Sequence, residues 1–389
     1  MPIASLRPHP RNPRRGDLEA VKNSLRHHGQ YRPIVANGRT GEVLAGNHVL
    51  RAARELGFSE IAATFVDLSE EEALKLVLVD NRTSDLAGYD DELLIELLEG
   101  LGDLSGTGFD EAALDDLLDE VAPAPYEEEE LPPPPSEPRT RPGDHYALGD
   151  HRLVCADAID ARDLERLMAG DEAALLWTAP PYGVAYEGRT ADRLRLRNDR
   201  PDGLEELLRR AFAAIDGALS AGAALYVAHP AGPQSATFLR AFSDQGWSLR
   251  QTLVWVKDAL VLGHADYHFR HEPILYGYKP GTGRLGRGAS GWHGDHAQSS
   301  VLEVARPRAA CEHPTMKPVE LVEIGLRNSS RRKDLVLDPF AGSGSTLVAA
   351  DRLGRRARLI ELDPAYCDVI VDRFERLTGR RAELVDRHG

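Results

Sequence analysis

Two α/β units, a smaller one followed by one built on a doubly wound parallel sheet with helices on both faces, are what this 389-residue sequence predicts. Three observations carry the expectation. A proline- and glutamate-rich stretch, "APAPYEEEELPPPPSEPRTRP" from Ala122 to Pro142, divides the chain. Before it, short apolar runs alternate with amphipathic ones. After it, a strand, a glycine-rich turn and a helix of small residues lead to a second strand that ends on an acidic residue.

The elements of the first unit follow in order. Asp17 caps a helix with Leu18, Val21 and Leu25 on one face, and Gly29 ends it. "RPIVAN" and "VLAG" read as strands joined by the turn "NGRTGE", and "HVLRAAREL" reads as a helix ending at Gly57. Ser69 and Glu72 form a capping box for "EEALKLVLVD". Residues 1–120 are expected to be this unit with an acidic helical tail, 121–142 a linker, and 143–389 the larger unit. The 21 residues from Ala122 cannot bury apolar surface and, at roughly 3.1 Å each, reach about 65 Å when extended.

Charge is distributed unevenly. The net charge is −15, yet residues 1–60 carry +5, 61–120 carry −16, 121–142 carry −3 and 143–389 only −1. The large unit is therefore free to hold basic patches that meet phosphate. A hydrophobic content of 42% supports sizeable cores. No apolar run long enough to span a bilayer and no signal pattern is present, so a cytoplasmic location without a membrane partner is expected. Cys155, Cys311 and Cys367 lie far apart without CxxC spacing, which predicts inert thiols and no metal site.

The chemistry is concentrated in "DLVLDPFAGSGSTLVAADRLGRRARLIELDPAYCDVI". An apolar strand runs into Asp338-Pro339-Phe340-Ala341-Gly342-Ser343-Gly344-Ser345, and Glu361 ends the next strand 19 residues beyond Gly342. In a doubly wound sheet such glycines let backbone approach a nucleoside-like ligand, and the acidic residue accepts its ribose hydroxyls. The turn has neither a third helix-packing glycine nor a Walker lysine, which argues against dinucleotide and ATP ligands. S-adenosylmethionine, which carries no phosphate, remains. Upstream, "WTAPPYGV" (Trp177 to Val184) reads as a strand ending in a rigid loop with an aromatic residue, and "HPTMKP" (His313 to Pro318) leads into a helix.

Taken in this order, "CADAID", "APPY", "LVWVK", "HEPILYGYK", "HPTMKP", "DPFAGSGST" and "IELDPAYCDVI" resemble the β-arranged DNA amino-methyltransferases, over roughly residues 143–380. The resemblance implies a Rossmann-like methyltransferase sheet, S-adenosylmethionine as cofactor and double-stranded DNA as partner, with a homodimer left open. It implies a catalytic loop of Ala179, Pro180, Pro181 and Tyr182, in which the first residue is usually Asp. That residue and the Pro180 carbonyl would accept the hydrogens of the target amine, while Tyr182 would stack on a base flipped from the duplex. Ala179 cannot accept a hydrogen bond, so a binding-competent but crippled enzyme is expected, with adenine favoured over cytosine as the base. Everything around Ala179 is intact, as one deliberate or recent substitution would leave it. By the same resemblance Asp157 would lie by the cofactor's adenine. Thr315 and Lys317 would lie by its methionine carboxylate, and Asp338, Pro339, Phe340, Gly342, Ser343, Gly344 and Glu361 would line the rest of the pocket. Residues 186–200 and 279–310, the latter with Trp292, are expected to contact DNA, 279–310 as the target-recognition region.

Residues 1–90 carry "L-x-P-H-P-x-N-P", "G-Q-Y-R-P-I-V", "V-L-A-G-N-H-x-L-R-A-A-x-E-L-G" and "D-N-R-T", and resemble the ParB-like (ParB/sulfiredoxin) domain. In that family the glycine turn binds a phosphate-bearing ligand. Here it reads Gly46-Asn47-His48 with Arg51, without the usual arginine pair, so docking of DNA or a partner is expected rather than catalysis. The pairing of the two domains resembles modification methylases of phages and mobile elements.

Overall fold

The computed structural model describes residues 1–121, 131, 133–184, 201–261, 266–281, 285, 286, 289, 291–307 and 316–386. The chain divides into two compact units, Met1–Ala122 and Pro123–Gly389.

In the first unit, strands β1 (Arg7–Pro8), β2 (Ile34–Asn37), β3 (Glu42–Ala45) and β4 (Ala63–Val66) form a sheet of order β1-β3-β2-β4. Helices α1 (Leu18–His28), α2 (Asn47–Glu55) and α3 (Glu70–Leu86) accompany it. Local signals act as expected. Asp17 accepts from the N–H groups of Glu19 and Ala20, Gly29 follows α1 at φ 65°, and Ser69 with Glu72 closes the capping box. Leu25, Ile34, Val43, Leu50 and Ala53 form the core. The acidic tail is two separate helices, α4 (Asp91–Glu99) and α5 (Glu111–Glu120), each capped by an aspartate, Asp90 and Asp110.

The second unit contains β5 (His145–Leu148), β6 (His151–Cys155), α6 (Ala161–Met168), β7 (Ala173–Thr178), α7 (Leu204–Asp216), β8 (Leu219–Ala228), α8 (Ser235–Asp244), β9 (Ser248–Val261), β10 (Phe269–Tyr278) and β11 (Val301–Glu303). It continues through α9 (Val319–Ser329), β12 (Leu335–Asp338), α10 (Ser345–Arg352), β13 (Arg356–Glu361), α11 (Pro364–Thr378) and β14 (Glu383–Asp386). Its sheet runs β11-β9-β10-β8-β7-β12-β13-β6-β5-β14, with β8, β7, β12, β13 and β6 mutually parallel at the centre. Side chains alternate between faces, as the pleat requires. Leu175, Trp177, Val336, Leu359 and Leu153 meet α9, α10 and α11, while Leu176, Leu337, Ile360 and Val154 meet α6, α7 and α8. Strands covered on both faces explain the near-continuous apolar runs in the sequence.

The expected linker ends before Pro142. The N–H of Arg139 (2.6 Å) and the N–H and hydroxyl of Thr140 (3.1 and 2.6 Å) donate to Asp368 on α11, a buried carboxylate that needs such donors. Cys155 and Cys367 are free, buried thiols, and Cys311 lies outside the described residues. Among the described residues, no helix is long and apolar enough to cross a membrane.

Candidate active site

The connection leaving β7 leads to β8 on one side, and the one leaving β12 leads to β13 on the other, so the sheet has its topological switch point between β7 and β12. A crevice is expected at the carboxyl ends of strands at such a point. Asp338, Glu361, Thr178 and Cys155 are the last residues of β12, β13, β7 and β6, so this edge gathers the sequence-predicted residues from four strands.

Asp338 is the knot at the centre. Its buried carboxylate accepts from the Thr178 hydroxyl (3.0 Å), the Thr346 hydroxyl (2.6 Å) and the N–H of Phe340 (3.2 Å). Burial pushes this carboxyl up to about 6, and the three hydrogen bonds and Lys317 offset only part of the effect. The loop after β7 and the turn after β12 therefore hang from one side chain.

Gly342 and Gly344 both have positive φ, 54° and 82°. A Cβ on Gly344 would come within 3.1 Å of Ile370, whereas one on Gly342 would meet nothing within 4 Å. The turn is thus close-packed behind and open in front. Glu361 braces it, accepting from Gly342 N–H with one oxygen and from Asp363 N–H with the other, both at 2.8 Å. Burial pushes its carboxyl up to about 7, with the backbone donors acting against the rise and Asp363 and Asp338 adding to it. Each oxygen retains a further lone pair for a ligand hydroxyl. Asp157 lies two residues beyond Cys155, the partner of Glu361 in the sheet, and folds its carboxylate back on the N–H of Ile159 (3.2 Å). Ser343 is tied through its carbonyl to Arg373 (3.0 Å), and Phe340 packs on the rim of the α6–α8 core. An acidic acceptor beside an open glycine turn fits a ribose-bearing ligand.

The loop from Ala179 to Tyr182 straddles the two cores. Ala179 packs towards the α9–α11 side and Tyr182 towards the α6–α8 side, and Pro180 is buried. The Tyr182 ring stands edge-on to Phe238 (centroids 6.2 Å, 89°), and His229 stacks on the same phenylalanine at 5.7 Å.

The sequence reading left Glu272 and Lys257 without a role. Glu272 accepts from the Tyr182 hydroxyl (2.7 Å) and from Lys257 Nζ (2.6 Å), and pairs with Lys317 Nζ (3.3 Å). Burial alone would raise this carboxyl, but Lys317 and Lys257, with the lysine and tyrosine hydrogen bonds, hold it at about 2. Lys317 Nζ also lies 5.1 Å from the Tyr182 ring centre, and the Lys317 carbonyl accepts from the Ser345 hydroxyl (2.7 Å). Lys317, expected beside a methionine carboxylate, is thus also joined to the aromatic loop. Lys257 and Glu272 both lie in motifs of the family resemblance, Lys257 in "LVWVK" and Glu272 in "HEPILYGYK".

Thr315 and residues 186–200 lie outside the described residues, as do parts of 279–310. Within the described part, β11 pairs in parallel with β9. Trp292, expected to help read a DNA groove, is half-buried and packs against the core beside Tyr276 (6.2 Å). It helps line a cavity of about 520 Å³ on the α9 face, with Trp177, Tyr226, Tyr276, Tyr278 and Arg250. Among the described residues, no group of three or more His, Cys, Asp or Glu could hold a metal ion.

Residues 173–372 match the family described as DNA methylase, residues 1–82 the ParB N-terminal domain, and residues 91–142 the ParB-methyltransferase HTH domain. The last match covers α4, α5 and the stretch expected as linker. The chain is 29% identical over 144 residues to type II methyltransferase M.Cfr9I of Citrobacter freundii, covering 35% of this chain and 47% of that one. It is 38% identical over 87 residues to the chromosome-partitioning protein Spo0J of Thermus thermophilus, covering 21% and 32%. The matches therefore span less than half the length of either relative. The solved complex of M1.HpyAVI with SAM is 20% identical, with 57% of this chain and 98% of that chain covered and a TM-score of 0.42.

Proposed function

The chain belongs to the DNA methylase family, and from that premise we propose that it is a site-specific methyltransferase for the 6-amino group of adenine in duplex DNA, impaired in this form by Ala179. The observation that carries the reading is the 3.0 Å bond from Thr178 to Asp338, which joins the Ala179–Tyr182 loop to the open glycine turn. Donor and acceptor of a methyl group would meet there.

S-adenosylmethionine supplies the methyl group from its sulfonium when bound. Glu361 would take its ribose hydroxyls, Asp157 would lie by its adenine, and Asp338, Pro339, Phe340, Gly342, Ser343 and Gly344 would line the remainder. Thr315 and Lys317 would serve its carboxylate. An exocyclic amine is a poor nucleophile because its lone pair is delocalised into the ring. Catalysis requires acceptors that hold both amine hydrogens and bring the lone pair forward. The Pro180 carbonyl is one, fixed by the restricted φ of two successive prolines. Residue 179 should be the other, and a methyl group cannot serve. Tyr182 supplies a face for the flipped base. Adenine is preferred because "TxPPYGV" looks like the loops of adenine methylases in this family. Duplex DNA would be held partly by the segments 186–200 and 279–310, and the ParB-like unit would dock DNA or a partner.

The test is Ala179→Asp. Labelled methyl transfer to duplex DNA should rise by about 10²–10³, the usual worth of one aligned polar group in a desolvated site. Nucleoside mass spectrometry should report 6-methyladenine, and 4-methylcytosine instead would overturn the choice of base. An Asp variant that binds cofactor and DNA yet stays inert would show that the loop is not catalytic, and the chain would then be read as a silent DNA-binding protein.

A further inference from the structure

We infer that Glu272 is a positioning residue for methyl transfer, holding the ring of Tyr182 and the ammonium of Lys317 in fixed relation by binding both on one carboxylate. The inference rests on the reading that Tyr182 stacks on the target base.

Three features distinguish this carboxylate from an ordinary buried ion pair. The first is what it holds. Its Oε2 takes the Tyr182 hydroxyl at 2.7 Å and faces Lys317 Nζ at 3.3 Å, so its two partners on that oxygen come from separate loops. Its Oε1 takes Lys257 Nζ at 2.6 Å, which fixes the plane of the carboxylate.

The second is where it stands. Glu272 is on β10, opposite Trp255 of β9, and Lys257 lies two residues further along that same strand. A paired ladder is stiff and a loop is not, so the strand residue sets the position of the loop residues. Tyr182 is thereby held at two points. Its ring packs T-shaped against Phe238 and its hydroxyl is pinned by Glu272. A ring so fixed needs no reordering when a base arrives, which is where orientation contributes to rate.

The third is cost. The side chains of Lys257, Glu272 and Lys317 are only 9%, 16% and 8% exposed. Taking three charges out of water is expensive, and well-packed apolar residues would often give equal or better stability.

The experiment uses the full chain carrying Ala179→Asp, with Tyr182→Phe, Glu272→Gln and both together. Tyr182→Phe keeps the ring and leaves the three charges intact, so it tests the contact even where Glu272→Gln fails to fold. Each single change should lower kcat about tenfold with KM for DNA within about threefold, the pattern of an interaction that acts in the transition state. The double variant should be no slower than the slower single, because both remove one contact. In parallel, 3-fluorotyrosine placed at 182 in the chain with Ala179 should give one sharp ¹⁹F resonance that Glu272→Gln shifts or broadens. Single variants with kcat within about twofold of the parent, or effects that multiply in the double variant, would overturn the proposal. So would an unmoved resonance. If Ala179→Asp transfers no methyl groups, the loop reading has failed, and the resonance alone decides whether Glu272 positions Tyr182.

Discussion

Gly46 precedes α2 with φ 87° and ψ 28°, and Gly344 precedes α10 with φ 82° and ψ 26°. The two helix starts share a backbone geometry and differ in what fills the space around them. At α2 the chain fills it. Asn47 accepts from the N–H of His9 and donates to the Val43 carbonyl, both at 2.9 Å, and His48 accepts from the N–H of Gly16 at 2.9 Å. A Cβ on Gly46 would lie 2.6 Å from Ile34. At α10 the first side chain turns away to the Lys317 carbonyl, and the space before Gly342 is open. A glycine-opened helix is a permissive backbone, and its neighbours decide whether it packs or receives.

The largest expected effect sharpens this contrast at the open turn. Glu361→Ala removes the brace on Gly342 and, on the proposed reading, the acceptor for two ligand hydroxyls. Calorimetry should find S-adenosylmethionine bound about 100-fold more weakly, as loss of two hydrogen bonds to a charged group implies. Affinity within about threefold of the parent would erase the functional half of the comparison.

The closed turn is tested by Gly46→Ala. A left-handed φ and a contact at 2.6 Å should together cost the first unit about 2–3 kcal/mol, read from hydrogen exchange over residues 1–86. Cofactor affinity should not change. The same change at Gly342, with φ 54° and no neighbour, should cost only about 1 kcal/mol and should act instead on cofactor binding. Equal stability losses at the two sites would break the comparison.

The smallest effect is in pH. The Glu361 carboxyl titrates at about 7 in the ligand-free fold, above its ordinary value of 4.5. Ligand hydroxyls donate best to the ionised form. Cofactor affinity should therefore be greatest above pH 7 and fall as pH drops through it, by at most about tenfold per unit. Stability of the free protein should move the opposite way. A carboxyl raised on folding binds its proton more tightly in the fold, so its contribution is fully present below pH 4.5 and lost as pH rises through 7. Isothermal titrations from pH 6 to 8 on the parent and on Glu361→Gln check the sign, because the glutamine chain should lose the slope.

What was legible in the sequence was local. The cap at Asp17, the box at Ser69 and Glu72, the turn from Asp338 to Ser345 and the strand ending at Glu361 all depend on residues close in sequence, and the structure has each of them. The acidic tail was legible as acidic and helical but not as two helices, because α4 and α5 are short and their separation rests on Asp90 and Asp110 as caps. The Glu272 cluster was not legible. Its four residues are drawn from the loop at 182, strands β9 and β10 and the loop at 317, and the β9–β10 register that sets Glu272 opposite Trp255 is not written in either strand alone.

Lys317 belongs to both halves of the site, its carbonyl serving the glycine turn and its ammonium the carboxylate that holds Tyr182. A ligand that draws on Lys317 from one side changes what the other side has to offer. On the proposed reading, cofactor and DNA form a thermodynamic cycle around a single buried side chain. Whatever factor one contributes to the affinity of the other must be returned in full, whichever of the two arrives first.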